Sequence, residues 1–91
     1  MIKVCIADSL PVVSYGLQSY FKGNSKIEIV AVARNLESLL QELNSKKVAI
    51  LLLDVELVGL SSIREIKSLL KDYPETKIVL YRRIKQNRWL E

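Results

Sequence analysis

The chain has 91 residues, of which 49% are hydrophobic and 26% are charged, and its formal net charge is +4. These values are typical of one small globular domain and exclude a disordered chain. The single cysteine, Cys5, excludes an internal disulfide and favours an intracellular protein, and no apolar run is long enough to span a membrane.

The excess positive charge lies at the C-terminal end of the chain. Residues 82–91 carry four basic side chains and one acidic side chain, whereas residues 1–81 carry ten basic and nine acidic ones. A short basic segment without a recognition helix gives only weak support for nucleic-acid binding. We therefore divide the chain into one domain, residues 1–81, and a basic tail of unclear structure, residues 82–91.

The N-terminal third of the chain predicts a strand, a helix and a second strand. The first strand is "IKVCIA", Ile2–Ala7, which is rich in β-branched residues. Ser9 is expected to cap the following helix, with Pro11 in its first turn and Gly23 at its end. "KIEIVAVA", residues 26–33, alternates and then becomes wholly apolar, which predicts the second strand.

The middle of the chain predicts a helix and a buried strand. Asn35 is expected to cap the helix. Its apolar residues recur at helical spacing and consist of Leu36, Leu39, Leu40 and Leu43. "VAILLL", residues 48–53, is apolar without a break, which indicates a strand covered on both faces, as in a parallel sheet.

The last third predicts a third helix and a fourth strand. Ser62 and Glu65 have the spacing of a capping box, and the helix must stop before Pro74. The face that we expect to be buried consists of Ile63, Ile66, Leu69 and Leu70. "KIVLY", Lys77–Tyr81, predicts the fourth strand, and Cys5 in the first strand is expected to be a small core residue rather than a reactive thiol.

Alternating strands and helices predict an α/β fold with a parallel sheet and helices on both faces. In a flavodoxin-like order, 2-1-3-4, ligands bind between strands one and three, beyond their carboxyl ends. Asp8 and Asp54 end these two strands, and Glu56 could add a third acid. Close carboxylates repel, and a hard cation such as Mg²⁺ relieves the repulsion. The spacing alone equally allows Asp8 as a turn residue and Asp54 as a solubilising charge.

Three segments together resemble the receiver domain of bacterial two-component response regulators, especially transcriptional regulators of the NarL/FixJ, LuxR-type class. "IKVCIADSLPVVSYGLQSYF" is similar to the opening strand, acidic turn and first helix of that family. "SKIEIVAVA" is similar to its second strand, and "ILLLDVELVGLSSIREIKSLLKDYPETKIVLY" to its phosphoacceptor strand, third helix and fourth strand. The resemblance covers residues 2–81.

The resemblance implies a signalling module rather than an enzyme, with a doubly wound flavodoxin-like fold and a cytoplasmic location. Asp54 would be the phosphoacceptor, and a histidine kinase or a small phosphodonor would supply the phosphoryl group. Asp8, Asp54 and the backbone carbonyl of Glu56 would bind Mg²⁺. DNA would be contacted only through a C-terminal domain that this chain does not contain.

Several positions depart from the family's pattern. Ser9 stands where the family has a second acid, so we expect weak Mg²⁺ binding. Arg82 falls at the usual Ser or Thr after the fourth strand, and Val58 replaces a proline. The chain ends before a fifth strand and the last helices, and Lys85 is no obvious substitute for the lysine of that strand. We therefore expect impaired phosphorylation.

Two other functions are compatible with the same residues. One is a phosphorylation-independent dimerisation or interaction domain on a degenerate receiver scaffold. Without a fifth strand, "KIVLY" would be a bare apolar edge, so a homo-oligomer formed through the fourth strand or the tail is expected. A weaker alternative is a small metal-assisted hydrolase that uses the same carboxylates.

Overall fold

The computed structural model of the chain describes residues 1–82, which form four strands and three helices. The strands are β1 (Ile2–Ala7), β2 (Ile27–Ala33), β3 (Ile50–Asp54) and β4 (Lys77–Tyr81). The helices are α1 (Pro11–Phe21), α2 (Leu36–Ser45) and α3 (Ile63–Asp72). The predicted basic tail, including Lys85, lies outside the described residues except for Arg82.

The sheet has the order that the sequence predicts. All pairings are parallel, and the strands lie in the order β2-β1-β3-β4. The chain moves from β1 to one side for β2 and to the other side for β3, so the strand order reverses between β1 and β3. Right-handed crossovers then place α1 and α2 on opposite faces of the sheet.

The main core lies between the sheet and the helices α2 and α3. Strand residues that alternate along the chain, such as Cys5, Leu51 and Leu53, are fully buried on this face. The helices contribute Leu39, Leu43, Ile66 and Leu69 to the same cluster. Val4 and Ile6 have the opposite parity in β1 and are buried on the face where α1 lies. The central strands are therefore covered on both faces, as their unbroken apolar sequences predict.

Cys5 is confirmed as a core residue. It is fully buried, and burial raises the pKa of its thiol to about 12, to which the negative charge of Glu42 contributes. Because the thiolate is the reactive form, this thiol is inert at neutral pH. Within residues 1–82, no helix is both long and apolar enough to cross a bilayer.

The start of α1 differs from the prediction. Leu10, not Ser9, is the N-cap residue, and its side chain makes no capping hydrogen bond. The Asp8 carboxylate accepts the Leu10 N–H instead, at 2.8 Å, in a local turn that competes with a serine cap. The hydroxyl of Ser9 points away from the helix and accepts the Val58 N–H at 2.9 Å.

The caps of α2 and α3 are confirmed. Asn35 Oδ1 accepts the Ser38 N–H at 2.8 Å, and a capping box is present at both helix starts. At α3, the Glu65 carboxylate accepts the N–H and the hydroxyl of Ser61 and the N–H of Ser62. These hydrogen bonds, led by the Ser61 N–H, lower the pKa of Glu65.

Part of the predicted buried surface is exposed. Ile66 and Leu69 lie in the core, but Ile63 and Leu70 are 63% and 50% exposed, because they lie at the margins of the apolar face of α3. On α1, Tyr15 and Tyr20 are also exposed. The guanidinium of Arg34 lies 5.6 Å from the centre of the Tyr15 ring, and this contact joins α1 to the end of β2.

Candidate functional site

Two buried carboxylates lie at the carboxyl ends of adjacent strands. The register pairs Ala7 of β1 with Leu53 of β3, so Asp8 and Asp54 occupy the next positions of their strands. Both side chains are fully buried. They therefore meet at the place where the strand order reverses, which is where open α/β sheets bind ligands.

Asp8 accepts a hydrogen bond at each of its carboxylate oxygens. Oδ1 accepts the backbone N–H of Leu10 at 2.8 Å, and Oδ2 accepts the hydroxyl of Tyr81 at 2.6 Å. Short hydrogen bonds from a hydroxyl to a carboxylate oxygen are among the stronger ones in proteins. Tyr81 is a part of the site that the sequence interpretation missed.

Tyr81 is placed by the register of β4. It pairs with Asp54 in the parallel ladder, and its carbonyl oxygen accepts the Val55 N–H at 3.0 Å. Side chains of paired residues point to the same face of a sheet, so the ring lies on the side of the two carboxylates. The alternation of side chains along "KIVLY" shows which face of the sheet Tyr81 lies on only when the register between β4 and β3 is known.

Asp54 is held by the turn that follows it. Its Oδ1 accepts the Glu56 N–H at 3.0 Å, and its carbonyl oxygen accepts the Leu57 N–H at 3.0 Å. The side chain of Glu56 is exposed. Glu56 therefore contributes to the site through its backbone, which is compatible with the predicted use of its carbonyl oxygen and not with a third buried carboxylate.

Ser9 connects two loops instead of adding an acid. Because its hydroxyl accepts the Val58 N–H, it ties the turn after β1 to the turn after β3. The carbonyl oxygen of Val58 accepts the Leu36 N–H at 2.8 Å, which ties the same turn to the start of α2. Arg82 directly follows Tyr81 and is exposed.

The oxygen donors of the site fit Mg²⁺ by their chemistry. Mg²⁺ prefers oxygen ligands, uses one or two carboxylates and keeps several waters. Asp8, Asp54 and the Glu56 carbonyl make up a donor set of this size. Within residues 1–82, no group of three or more acidic, histidine or cysteine side chains is gathered to hold a metal. A metal at this place would therefore rely on water for much of its coordination.

Comparison with known proteins finds similarity to bacterial regulators, in sequence to one protein and in fold to another, while no family model matches the chain. The uncharacterized transcriptional regulatory protein YhcZ of Bacillus subtilis is 29% identical over 79 residues, which cover 87% of this chain and 37% of YhcZ. The Salmonella typhimurium RcsB response regulator has a TM-score of 0.83 at 21% identity, over 89% of this chain and 42% of RcsB.

The isolated REC domain of RcsB from Salmonella enterica serovar Typhimurium, solved with the phosphomimetic BeF₃⁻, is similar over nearly the whole chain. Its TM-score is 0.84 at 21% identity, covering 98% of this chain and 67% of that one. The chain therefore has the fold of a response-regulator receiver domain, which confirms the predicted fold class. It spans well under half the length of YhcZ and of the RcsB response regulator.

Proposed function

We propose that the chain is a receiver module of two-component signalling that accepts a phosphoryl group on Asp54. The pair of fully buried carboxylates at the point where the strand order reverses carries this proposal. The likeness to a transcriptional regulatory protein and to RcsB supports the same class. The module would act in the cytoplasm, and we place any contact with DNA outside residues 1–82.

In the proposed reaction, one carboxylate oxygen of Asp54 attacks the phosphorus of a phosphohistidine or a small acyl phosphate. The new O–P bond forms while the bond from phosphorus to the donor breaks, and the donor leaves with the electron pair. The Glu56 N–H orients Asp54 by binding its Oδ1. Asp8, Asp54 and the Glu56 carbonyl would hold Mg²⁺, which when bound neutralises charge on the phosphoryl oxygens.

We further propose that this reaction is impaired. Ser9 offers a neutral hydroxyl where the family has an acid, and that hydroxyl already accepts a hydrogen bond from Val58. A neutral group attracts Mg²⁺ less than a carboxylate does. Arg82 replaces the small hydroxyl residue expected after β4. Both changes reduce the machinery for phosphoryl transfer while leaving the acceptor in place.

The proposal is tested by incubating the protein with Mg²⁺ and acetyl phosphate and measuring its intact mass. We expect a minor fraction to gain one phosphoryl group, and we expect no gain in Asp54→Asn. Glu56→Gln is the matched control, because it removes an exposed carboxylate two residues away and keeps the backbone. Ser9→Asp should increase the phosphorylated fraction several-fold, since it restores the missing acid.

The outcomes separate the parts of the proposal. If Asp54→Asn still gains the mass of a phosphoryl group, the acceptor is a residue other than Asp54. Complete phosphorylation of the unmodified protein, with no further gain in Ser9→Asp, would contradict the impairment. No gain in any variant, Ser9→Asp included, would contradict phosphotransfer itself.

A second candidate function is an interaction module that does not depend on phosphorylation. The exposed side chains of β4 favour it: β4 is an edge strand of the sheet formed by residues 1–82, and Val79 and Leu80 are 43% and 44% exposed on its two faces. An apolar edge strand is a template for pairing with a second chain.

This second function predicts self-association through β4. In analytical ultracentrifugation, we expect the unmodified protein and Asp54→Asn to form the same dimer, and we expect Val79→Lys to weaken it. A charged side chain on an edge strand opposes strand pairing. Sedimentation as a monomer up to high protein concentration would exclude this function and leave the phosphoacceptor proposal untouched.

A further inference from the structure

The Tyr81 hydroxyl reaches the candidate site from a strand that is not adjacent to β1. Tyr81 ends β4, and β3 lies between β4 and β1. Because Tyr81 pairs with Asp54, its ring has to pass the carboxyl end of β3 before the hydroxyl donates to Asp8 Oδ2 at 2.6 Å. The side chain thus spans the site in which the two carboxylates meet.

The backbone of Tyr81 is fixed by the pairing of β4, whereas its hydroxyl is held through the side chain. The carbonyl oxygen accepts the Val55 N–H, so the end of β4 is tied to the start of the turn after β3. The residue is partly exposed. Because the pairing of β4 with β3 uses backbone groups alone, a change of the Tyr81 rotamer would take the hydroxyl away from Asp8 without breaking that pairing.

The hydrogen bond from Tyr81 and a metal ion would both use the carboxylate of Asp8. Oδ1 accepts the Leu10 N–H and Oδ2 accepts the Tyr81 hydroxyl, so a metal ion that binds Asp8 shares the carboxylate with both donors. Mg²⁺ binds its ligands at short distances in a near-ideal octahedron and draws negative charge from them. A short O–H···O⁻ bond depends on that same charge. The two interactions therefore oppose each other.

We propose that the Tyr81 hydroxyl competes with Mg²⁺ for Asp8, and that metal binding releases the ring from the site. This inference rests on the proposed function, which assigns Mg²⁺ to Asp8 and Asp54. Tyr81 is then a positioning residue with two effects. It lowers the affinity of the site for Mg²⁺, in addition to the effect of Ser9, and it converts metal occupancy into a change of side-chain position at the end of β4.

The inference is tested by titrating MgCl₂ into the unmodified protein and into two tyrosine-to-phenylalanine variants, with isothermal titration calorimetry as the readout. Tyr81→Phe removes only the competing hydroxyl, so we expect about tenfold tighter Mg²⁺ binding, as for the loss of one hydrogen bond to a charged group. Tyr73→Phe is the matched control, because its hydroxyl donates to Asn44 at the opposite end of the helices. Its Mg²⁺ affinity should equal that of the unmodified protein.

A second measurement follows the ring itself in the unmodified protein and does not depend on the folding of a variant. In an NMR titration with ring-labelled tyrosine, the signals of Tyr81 should shift as Mg²⁺ binds, while those of Tyr73 stay in place. Two results would contradict the competition while leaving the proposed metal site in place. One is that the protein binds Mg²⁺ but the NMR signals of the Tyr81 ring do not shift. The other is that Tyr81→Phe binds Mg²⁺ no more tightly than the unmodified protein does. If neither protein binds Mg²⁺, both the competition and the proposed metal site are overturned.

Discussion

Replacing Leu39 by alanine is expected to destabilise the domain by about 2 to 5 kcal/mol. Leu39 lies on α2, is fully buried, and belongs to the cluster that joins α2 and α3 to the central strands. The truncation removes apolar contacts and leaves a cavity that a close-packed core fills only partly. Since small domains are stable by only about 5 to 15 kcal/mol, the loss is a large fraction of the total.

Equilibrium unfolding in urea, followed by far-UV circular dichroism, measures this effect. Leu40→Ala is the matched control, because Leu40 is the next residue of the same helix and is 36% exposed. We expect its cost to be clearly smaller, since less apolar area leaves water on folding and the cavity is open to solvent. Equal losses in the two variants would contradict the placement of α2 against the sheet.

The architecture of the domain was predictable because its signals are local. The spacing of the leucines in α2, the unbroken apolar run of β3 and the stop imposed by Pro74 each depend on neighbours in sequence. The bounds of β4, Lys77–Tyr81, agree with the prediction for this reason. The alternation of strands and helices predicted a parallel sheet with helices on both faces, whereas the order 2-1-3-4 came from the flavodoxin-like fold that the family resemblance implies.

The details of the candidate site were less predictable because they depend on contacts between distant residues. Tyr81 and Asp8 are 73 residues apart, and Val58 and Ser9 are 49 residues apart. No local pattern reports such pairs. Serine is a residue type that often caps helices, which is why Ser9 was predicted as the cap. In the structure the Asp8 carboxylate accepts the N–H of Leu10, and the Ser9 hydroxyl accepts the N–H of Val58 in the turn after β3. A long-range contact thus changed the role that the local pattern assigned.

The apolar face of α3 shows a different limit of sequence patterns. Ile63, Ile66, Leu69 and Leu70 form a regular helical stripe, and only the two central residues reach the core. Periodicity gives the direction of a buried face, whereas its width depends on how closely the neighbouring elements approach. The exposure of Ile63 and Leu70 is therefore a property of packing that the spacing of residues does not contain.

Gly59→Ala is expected to destabilise the domain through the turn that follows Asp54. Gly59 has a φ of +93°, and a Cβ added there would lie 3.0 Å from the Cβ of Leu36. A side chain in the left-handed region costs about 1 to 2 kcal/mol, and the crowding against the start of α2 adds to that cost. Urea unfolding should show the combined loss.

The same substitution should disturb the candidate site, because the turn is tied to it on both sides. The neighbouring Val58 donates to Ser9 and accepts from Leu36, so a shift of the turn moves the contacts around Asp54. Gly16→Ala is the matched control: Gly16 is exposed within α1, a Cβ there meets nothing within 4 Å, and alanine should stabilise the helix by about 0.5 to 1 kcal/mol. Opposite signs for the two variants are the expected result. If Gly59→Ala were as stable as the unmodified protein, the turn would not have the left-handed conformation that holds Val58 between Ser9 and α2.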